Sequence, residues 1–366
     1  MTTRQEKRGS VLKRYEHGGN IYEAAPLGGW LDFSANINPL GLAPGVKEAV
    51  RSSIDGVVHY PDPAARELRE AIASYYGINA EAVIPGNGAA ELIYLFFQVI
   101  RPRCVLIPVP SFSDYERAAL ASGAEILPFP LPAERDFAVD WERLTPHLTQ
   151  VDAVVLGNPN NPTGTVLSRA GLTSFLQAAE RCGVYVMVDE SFLDFLPDGG
   201  DSVSLKRLTS TYPHLFVVTS MTKFFAIPGL RLGFGVAGEP LRHRLNAAKD
   251  VWNVSLPAQK AGVAAVKERS YQEESRVVVS RERAYLTEAI RHWRGIRVIP
   301  GCVNFLLLDV KGTGRTGSDI TAAFRGRGIL VRDCSNYPGL TPYFIRIAVR
   351  SHEENSKFIE IGDQIL

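Results

Sequence analysis

A largely parallel, helix-covered α/β sheet followed by a smaller α+β domain is the fold that this sequence predicts. Short apolar runs recur through the middle of the chain, helical patterns of crossover length separate them, and the rhythm changes after about Ala248. The apolar runs are CVLIPV from Cys104, AVVLG from Ala153, VYVMVD from Val184, LFVVTS from Leu215 and LGFGV from Leu232. Their length and β-branched content suit buried strands. ELIYLFFQVI from Glu91, DYERAALAS from Asp114 and SRAGLTSFLQAAERC from Ser168 read as the helices between them. Beyond Ala248 the pattern becomes one long polar-rich helical stretch ending near Trp293. IRVIP, VNFLLLDV, a helix near 318–326, ILVRD, FIRIAV and a last helix follow it. Residues 1–40 are too polar and Gly-rich to fold alone. The expected organisation is therefore an arm, 1–40, packing on the small domain or a partner subunit, a large domain, 41–250, and a small C-terminal domain, 251–366.

At 366 residues and 45% hydrophobic composition the chain can bury a substantial core. Lys plus Arg (40) nearly cancels Asp plus Glu (39), so no basic surface is implied that would attract nucleic acid or a membrane. The first residues lack the apolar core of a secretory signal, and no stretch reaches the ~20 apolar residues of a membrane span. A cytoplasmic enzyme is the expectation. Cys104, Cys182, Cys302 and Cys334 lie far apart in sequence, which suits reduced thiols and neither a zinc site nor a disulfide framework.

The chemistry centres on SMTKFFAIPGLRLG, where Ser220, Thr222, Lys223 and Arg231 surround a Gly/Pro loop just after an apolar strand. An amine that must form an imine has to be neutral part of the time, which burial and a neighbouring Arg231 favour. The hydroxyls and the guanidinium can hold a phosphate. Singly, Lys223 reads as a surface residue, Ser220 and Thr222 as turn residues and Arg231 as a salt-bridge partner. The joint pattern favours a site. A second cluster, VVLGNPNNPTG, places Asn158, Asn161 and Gly164 in a loop that closes a strand near 157. A third, VYVMVDESFLDF, ends a buried strand in Asp189, where an open α/β sheet presents groups to a ligand.

GNGAAELIY, NPNNPTG, DESF and SMTKFFAIPGLRLG stand in the order and spacing of fold-type I pyridoxal-phosphate (PLP) enzymes of the class I/II aminotransferase group, which the whole chain resembles. The resemblance implies that Lys223 carries the cofactor as a Schiff base and that Asp189 pairs with the pyridinium nitrogen. It also implies that Asn161 bonds O3′ and that Phe112 stacks on the ring. Ser220, Thr222, Arg231 and the backbone at Gly88, Ala89 and Ala90 would bind the cofactor phosphate, which suits the N–H groups at a helix N-terminus. Two departures stand out. Ala90 replaces a polar side chain common in relatives, and Phe192 stands where many aminotransferases have Tyr, so O3′ lacks one donor.

Within the group, YEHGGNIYEAA, LDFSANINPLG, HYPDP and VRDCSNYPGLTPYFIRIAVRS resemble the L-threonine-O-3-phosphate decarboxylases of cobalamin biosynthesis more than the histidinol-phosphate aminotransferases. A small phosphorylated amino acid is then the substrate and the chain a homodimer. Arg346 resembles the family's carboxylate-binding arginine, assisted by Asn161 and Asn36. Arg332, His17 and Tyr60 resemble its phosphate-ester site, with Tyr60 expected from the other subunit. The alternatives are an aminotransferase and a non-enzymatic PLP-fold regulator. The second would normally append a DNA-binding domain for which this sequence has no extra length.

Overall fold

The structure, a computed structural model, describes residues 17–26 and 28–366. Its strands are β1 (Leu31–Asp32), β2 (Val83–Gly86), β3 (Cys104–Val109), β4 (Glu125–Pro130), β5 (Ala153–Gly157), β6 (Tyr185–Asp189), β7 (Leu215–Ser220), β8 (Gly233–Ala237), β9 (Arg297–Val298), β10 (Phe305–Asp309), β11 (Ile329–Leu330), β12 (Arg332–Asp333) and β13 (Phe344–Ala348). Among the described residues, one seven-stranded sheet runs β2-β8-β7-β6-β5-β3-β4. The pairings among β3 to β7 are parallel, whereas β8 runs antiparallel to both β2 and β7. Every residue of β5, β7 and β8 is buried, as expected of strands covered on both faces.

The expected crossover segments form helices at Gly88–Ile100, Ser113–Ala121 and Arg169–Cys182, the last capped by the Ser168 side chain. The first opens at Gly88, earlier than the apolar periodicity from Glu91 suggests. β5, β6 and β7 end side by side at Gly157, Asp189 and Ser220, so the loops that follow share one edge of the sheet. That edge is where open α/β sheets bind ligands.

A buried ion pair anchors the turn after β6. Glu190 accepts from Lys206 Nζ at 2.7 Å, from Ser204 Oγ at 2.8 Å and from the Leu205 amide at 2.6 Å, with both charged side chains essentially sealed from solvent. Tyr76 Oη donates to Asp194 Oδ2 at 2.9 Å in the same layer.

The stretch after Ala248 is two helices and not one. Leu256–Lys267 and Arg269–Ile290 meet at Glu268, whose backbone leaves the helical region. The first, on the C-terminal side of the expected 250/251 boundary, is rich in small residues and packs into a core shared with Ala43, Val46, Leu68 and Ile72, which precede that boundary. A Cβ on its Gly262 would lie 2.5 Å from Leu68 Cδ1 and 2.6 Å from Leu232 Cδ2, so glycine lets these two leucines pack directly on the helix. ILVRD also divides: β11 pairs in parallel with β1 of the arm, while β12 joins the sheet β12-β13-β10-β9. The arm's Phe33 is fully buried with Leu286, Phe324, Ile347 and Phe358, stacking on Phe358 at 4.6 Å. No helix among the described residues is long and apolar enough to cross a membrane.

Gly233, at the start of β8, lets the Gly88 helix meet the sheet. A Cβ there would fall 2.7 Å from the Ala89 nitrogen and 2.9 Å from both the Gly88 carbonyl carbon and the Thr219 oxygen, all of them backbone. Gly233→Ala is expected to destabilise the protein by about 1–3 kcal/mol, seen as a lower thermal midpoint. An unchanged midpoint would mean that this contact does not hold the helix N-terminus.

Candidate active site

Lys223 follows β7 on the ligand edge, and its Nζ donates to Ser220 Oγ at 3.0 Å. Ser220 Oγ and Thr222 Oγ1 share a hydrogen bond of 2.7 Å. The arm reaches this loop, since the Asn38 amide donates to the Lys223 carbonyl and Asn38 Nδ2 to the Phe224 carbonyl. Burial pushes the Lys223 amine down to about 8. The Asp189 charge opposes that shift and the Arg231 charge adds to it.

Arg231 adopts the left-handed conformation at φ 55°, which folds its guanidinium back over Gly88. Gly88 is itself at φ +80°, and a Cβ there would sit 2.4 Å from Arg231 Nη2. The backbone angle therefore calls for glycine, and the guanidinium occupies the space where a side chain would stand. No side chain caps the Gly88–Ile100 helix, and the N–H groups of its first turn, including Ala89 and Ala90, have no intrahelical acceptors. A guanidinium, two hydroxyls and a helix N-terminus thus lie around Lys223.

Asp189 ends β6, nearly buried. Its Oδ2 accepts from Tyr115 Oη at 2.7 Å and its Oδ1 from the Ser191 amide at 2.9 Å. Burial, then the Asp189 charge, pushes the Tyr115 phenol well above its ordinary value, so it remains an O–H donor. Phe112 caps the same helix as Tyr115, with the two rings edge-on at 5.6 Å. Phe192 lies 5.9 Å from Lys223 Nζ and packs edge-on against Phe305. The 158–164 loop is tied to β6 by the Asn158 amide, which donates to the Asp189 carbonyl at 2.8 Å.

A second cluster faces this edge from the other sheet. Arg332 on β12 and Arg346 on β13 are direct register partners, so both side chains emerge on one face, and both are buried. Arg346 Nη1 donates to Asn161 Oδ1 and Nη2 to the Ser34 carbonyl at 3.0 Å, while its guanidinium lies over the Phe305 ring. Arg332 Nη2 donates to Asn336 Oδ1 at 2.8 Å. His17, Ser34 and Arg332 line one cleft of about 350 Å³.

The structure thus brings Lys223, Asp189, Ser220, Thr222, Gly88 and Arg231 to one edge, links Asn161 to Arg346, and puts His17 on a cleft with Arg332. Two expected residues stand apart from these contacts. Asn36 is buried, but its Oδ1 has no hydrogen-bond partner among the described residues. Tyr60 is 78% exposed and stacks on Trp252 at 4.4 Å, so its own chain does not bring it to the His17–Arg332 cleft. Sequence reasoning missed Tyr115, Ser34 and Asp114. Tyr115 had a signal, lying three residues after Phe112 on one helical face. Ser34 had none, because it acts through its carbonyl.

The depressed amine of Lys223 gives a direct expectation. In cofactor-free protein, competitive amine labelling read by mass spectrometry should show Lys223 reactivity rising through about pH 8. Ordinary lysines rise near 10.4. Reactivity that follows the surface lysines would remove the argument from burial. The unfolded chain binds the extra proton between those two values, so this residue's burial penalty on stability is full below pH 8. It fades as the pH rises towards 10.4.

Comparison with known proteins places this geometry in a family. The family model for class I and II aminotransferases matches residues 29–361. A Caldanaerobacter subterraneus protein, provisionally named threonine-phosphate decarboxylase, is 39% identical over 97% of this chain and 95% of its own. The threonine-phosphate decarboxylase of Salmonella typhimurium is 35% identical over 94% of each chain. The crystal structure of the histidinol-phosphate aminotransferase from Clostridium acetobutylicum superposes with a TM-score of 0.85 at 30% identity, covering 90% of this chain and 97% of that one. With its lysine, aspartate and arginine on one sheet edge, the chain belongs to the class I and II aminotransferase family.

Proposed function

We propose that this chain is a PLP-dependent carboxy-lyase of the cytoplasm that converts L-threonine O-3-phosphate to (R)-1-amino-2-propanol O-2-phosphate and CO2 in cobalamin biosynthesis. The observation that carries the reading is the register pairing of Arg332 with Arg346. Two buried guanidiniums on one face repel each other and suit a ligand with two separate anionic groups, one carboxylate and one phosphate. The names of the relatives at 39% and 35% identity support the same substrate.

The residues around Lys223 fit the cofactor. The cradle between Gly88 and Arg231, which a Cβ would fill, is suited to a phosphate, and the uncapped helix amides add donors. Ser220, Thr222, Arg231 and the backbone of Ala89 and Ala90 would hold that phosphate, with Phe112 against the ring. Asp189, oriented by Tyr115 and Ser191, would face the ring nitrogen and keep it protonated. When bound, PLP supplies an electron sink for the bond broken at Cα.

The other residues select which bond breaks. Arg346, with Asn161 and Asn36, would hold the substrate carboxylate in the orientation that activates the C–C bond and not the C–H bond. Arg332 and His17 hold the phosphate ester, with Tyr60 from the second subunit of a homodimer. The exposed position of Tyr60 suits that arrangement. Lys223 would hold the cofactor as a Schiff base, and its amine, freed when the substrate amine takes its place, would carry a proton to Cα after CO2 leaves.

The likeness to a histidinol-phosphate aminotransferase favours a second reading, transamination of a phosphorylated amine. PLP-loaded protein should release CO2 from threonine phosphate without consuming a keto acid. Consumption of 2-oxoglutarate with histidinol phosphate, and no CO2 from threonine phosphate, would decide for the aminotransferase.

The two arginines should also fail differently. Arg332→Ala is expected to weaken threonine phosphate binding by roughly 10- to 100-fold with much less effect on threonine. Arg346→Ala should depress kcat as well as binding, and for both ligands. Selectivity in the opposite sense would exchange or abolish the two assigned anion sites.

A further inference from the structure

Asp114 is a carboxylate that the reaction above leaves without a role. It stands in the first turn of the Ser113–Ala121 helix, two residues after Phe112, with its side chain only 13% exposed. Its Oδ1 is buried and has no hydrogen-bond partner among the described residues. A buried carboxylate oxygen in that state is costly unless a cation or donor stands near it. His17 Nε2 lies 3.4 Å away. The His17 ring packs on Phe112, with centroids 5.5 Å apart and planes tilted by 41°.

The arm is built to deliver the imidazole there. Gly18 lies so close to Ser34 that a Cβ would fall 2.2 Å from the Ser34 oxygen, and the Gly19 amide donates to Ser34 Oγ at 2.7 Å. The same Ser34 carbonyl accepts from Arg346. The Asp114 charge also reaches the Lys223 amine, where it favours the ammonium form. Left uncompensated, it would oppose the neutral amine and repel a substrate bearing two anionic groups.

We infer that Asp114 is a positioning residue for the substrate's phosphate ester: it engages Nε2 of His17, leaving Nδ1 for the anion bound beside Arg332. An imidazolium has one N–H for each of two anions, so a single ring serves the protein carboxylate and the ligand phosphate together. Asp114 does not touch substrate. Its effect passes through His17, and the inference rests on the reading of His17 as a phosphate-ester ligand.

The test is a double-mutant cycle on PLP-loaded protein with Asp114→Asn, His17→Gln and the double variant. Binding of threonine phosphate and of threonine is read from the cofactor absorbance. Asp114→Asn should weaken threonine phosphate about tenfold, about 1.4 kcal/mol, and change threonine by less than about twofold. In the His17→Gln background it should add nothing. Equal losses for both ligands, fully additive losses, or no loss would each overturn the inference. If His17→Gln weakens threonine phosphate and Asp114→Asn does not, this inference falls alone. If His17→Gln is itself without effect, the assignment of His17 falls and takes the inference with it. Circular dichroism checks folding, and Asp114→Ser replaces Asp114→Asn in the cycle should the latter misfold.

Discussion

The site is organised around a carboxylate that takes no part in it. Glu190 has no solvent contact and is satisfied by Lys206, Ser204 and the Leu205 amide. It also follows Asp189 directly in the chain. Removing either charge of such a pair leaves the other buried and alone, at a cost of about 3–5 kcal/mol. The strand end that carries Asp189 is therefore held from behind. From the front, Tyr115 and Ser191 fix its carboxylate and Asn158 ties the neighbouring loop to its carbonyl. Lys206 also lies 4.6 Å from the centre of the Tyr76 ring, which links this anchor to the helix Arg66–Tyr76.

Around that fixed point, the anion-binding groups arise from backbone geometry as much as from charge. β8 runs against its neighbours, so the chain must reverse between β7 and β8, and Lys223 and Arg231 both lie in that reversal. Arg231 in the left-handed region folds back into the space that a Gly88 side chain would occupy, while Gly233 lets the Gly88 helix meet the sheet. The result is a concentrated positive site beside an amine that burial holds partly neutral at physiological pH. The two effects act together, since each nearby guanidinium also disfavours a third positive charge.

Much of this was legible in the sequence. The apolar runs at 104, 153, 184, 215 and 232 became strands, and the motifs at their ends carried Lys223, Asp189 and Asn161 to the same edge. What was not legible depended on partners distant in sequence. ILVRD reads as one strand, yet β11 is claimed by the arm and β12 by β13, and the break at Val331 decides which face Arg332 occupies. The break at Glu268 is invisible to periodicity, because both helices keep a buried face and only their packing partners change. Tyr60, expected to act from the other subunit, stacks on Trp252 in its own chain, a contact that nothing local in HYPDP signals.

The arm contributes to the anion cluster chiefly through its main chain. The Ser34 carbonyl receives Arg346, and Gly18 lies against that same carbonyl without a side chain to separate them. Replacing Ser34 by alanine would leave this carbonyl in place and remove only the Oγ that accepts from the Gly19 amide, so an alanine scan would report the Gly19 contact and miss the one to Arg346. The main-chain part of the arm's contribution is sensitive to insertions, deletions and exchange of Gly18, changes that move the Ser34 carbonyl away from Arg346.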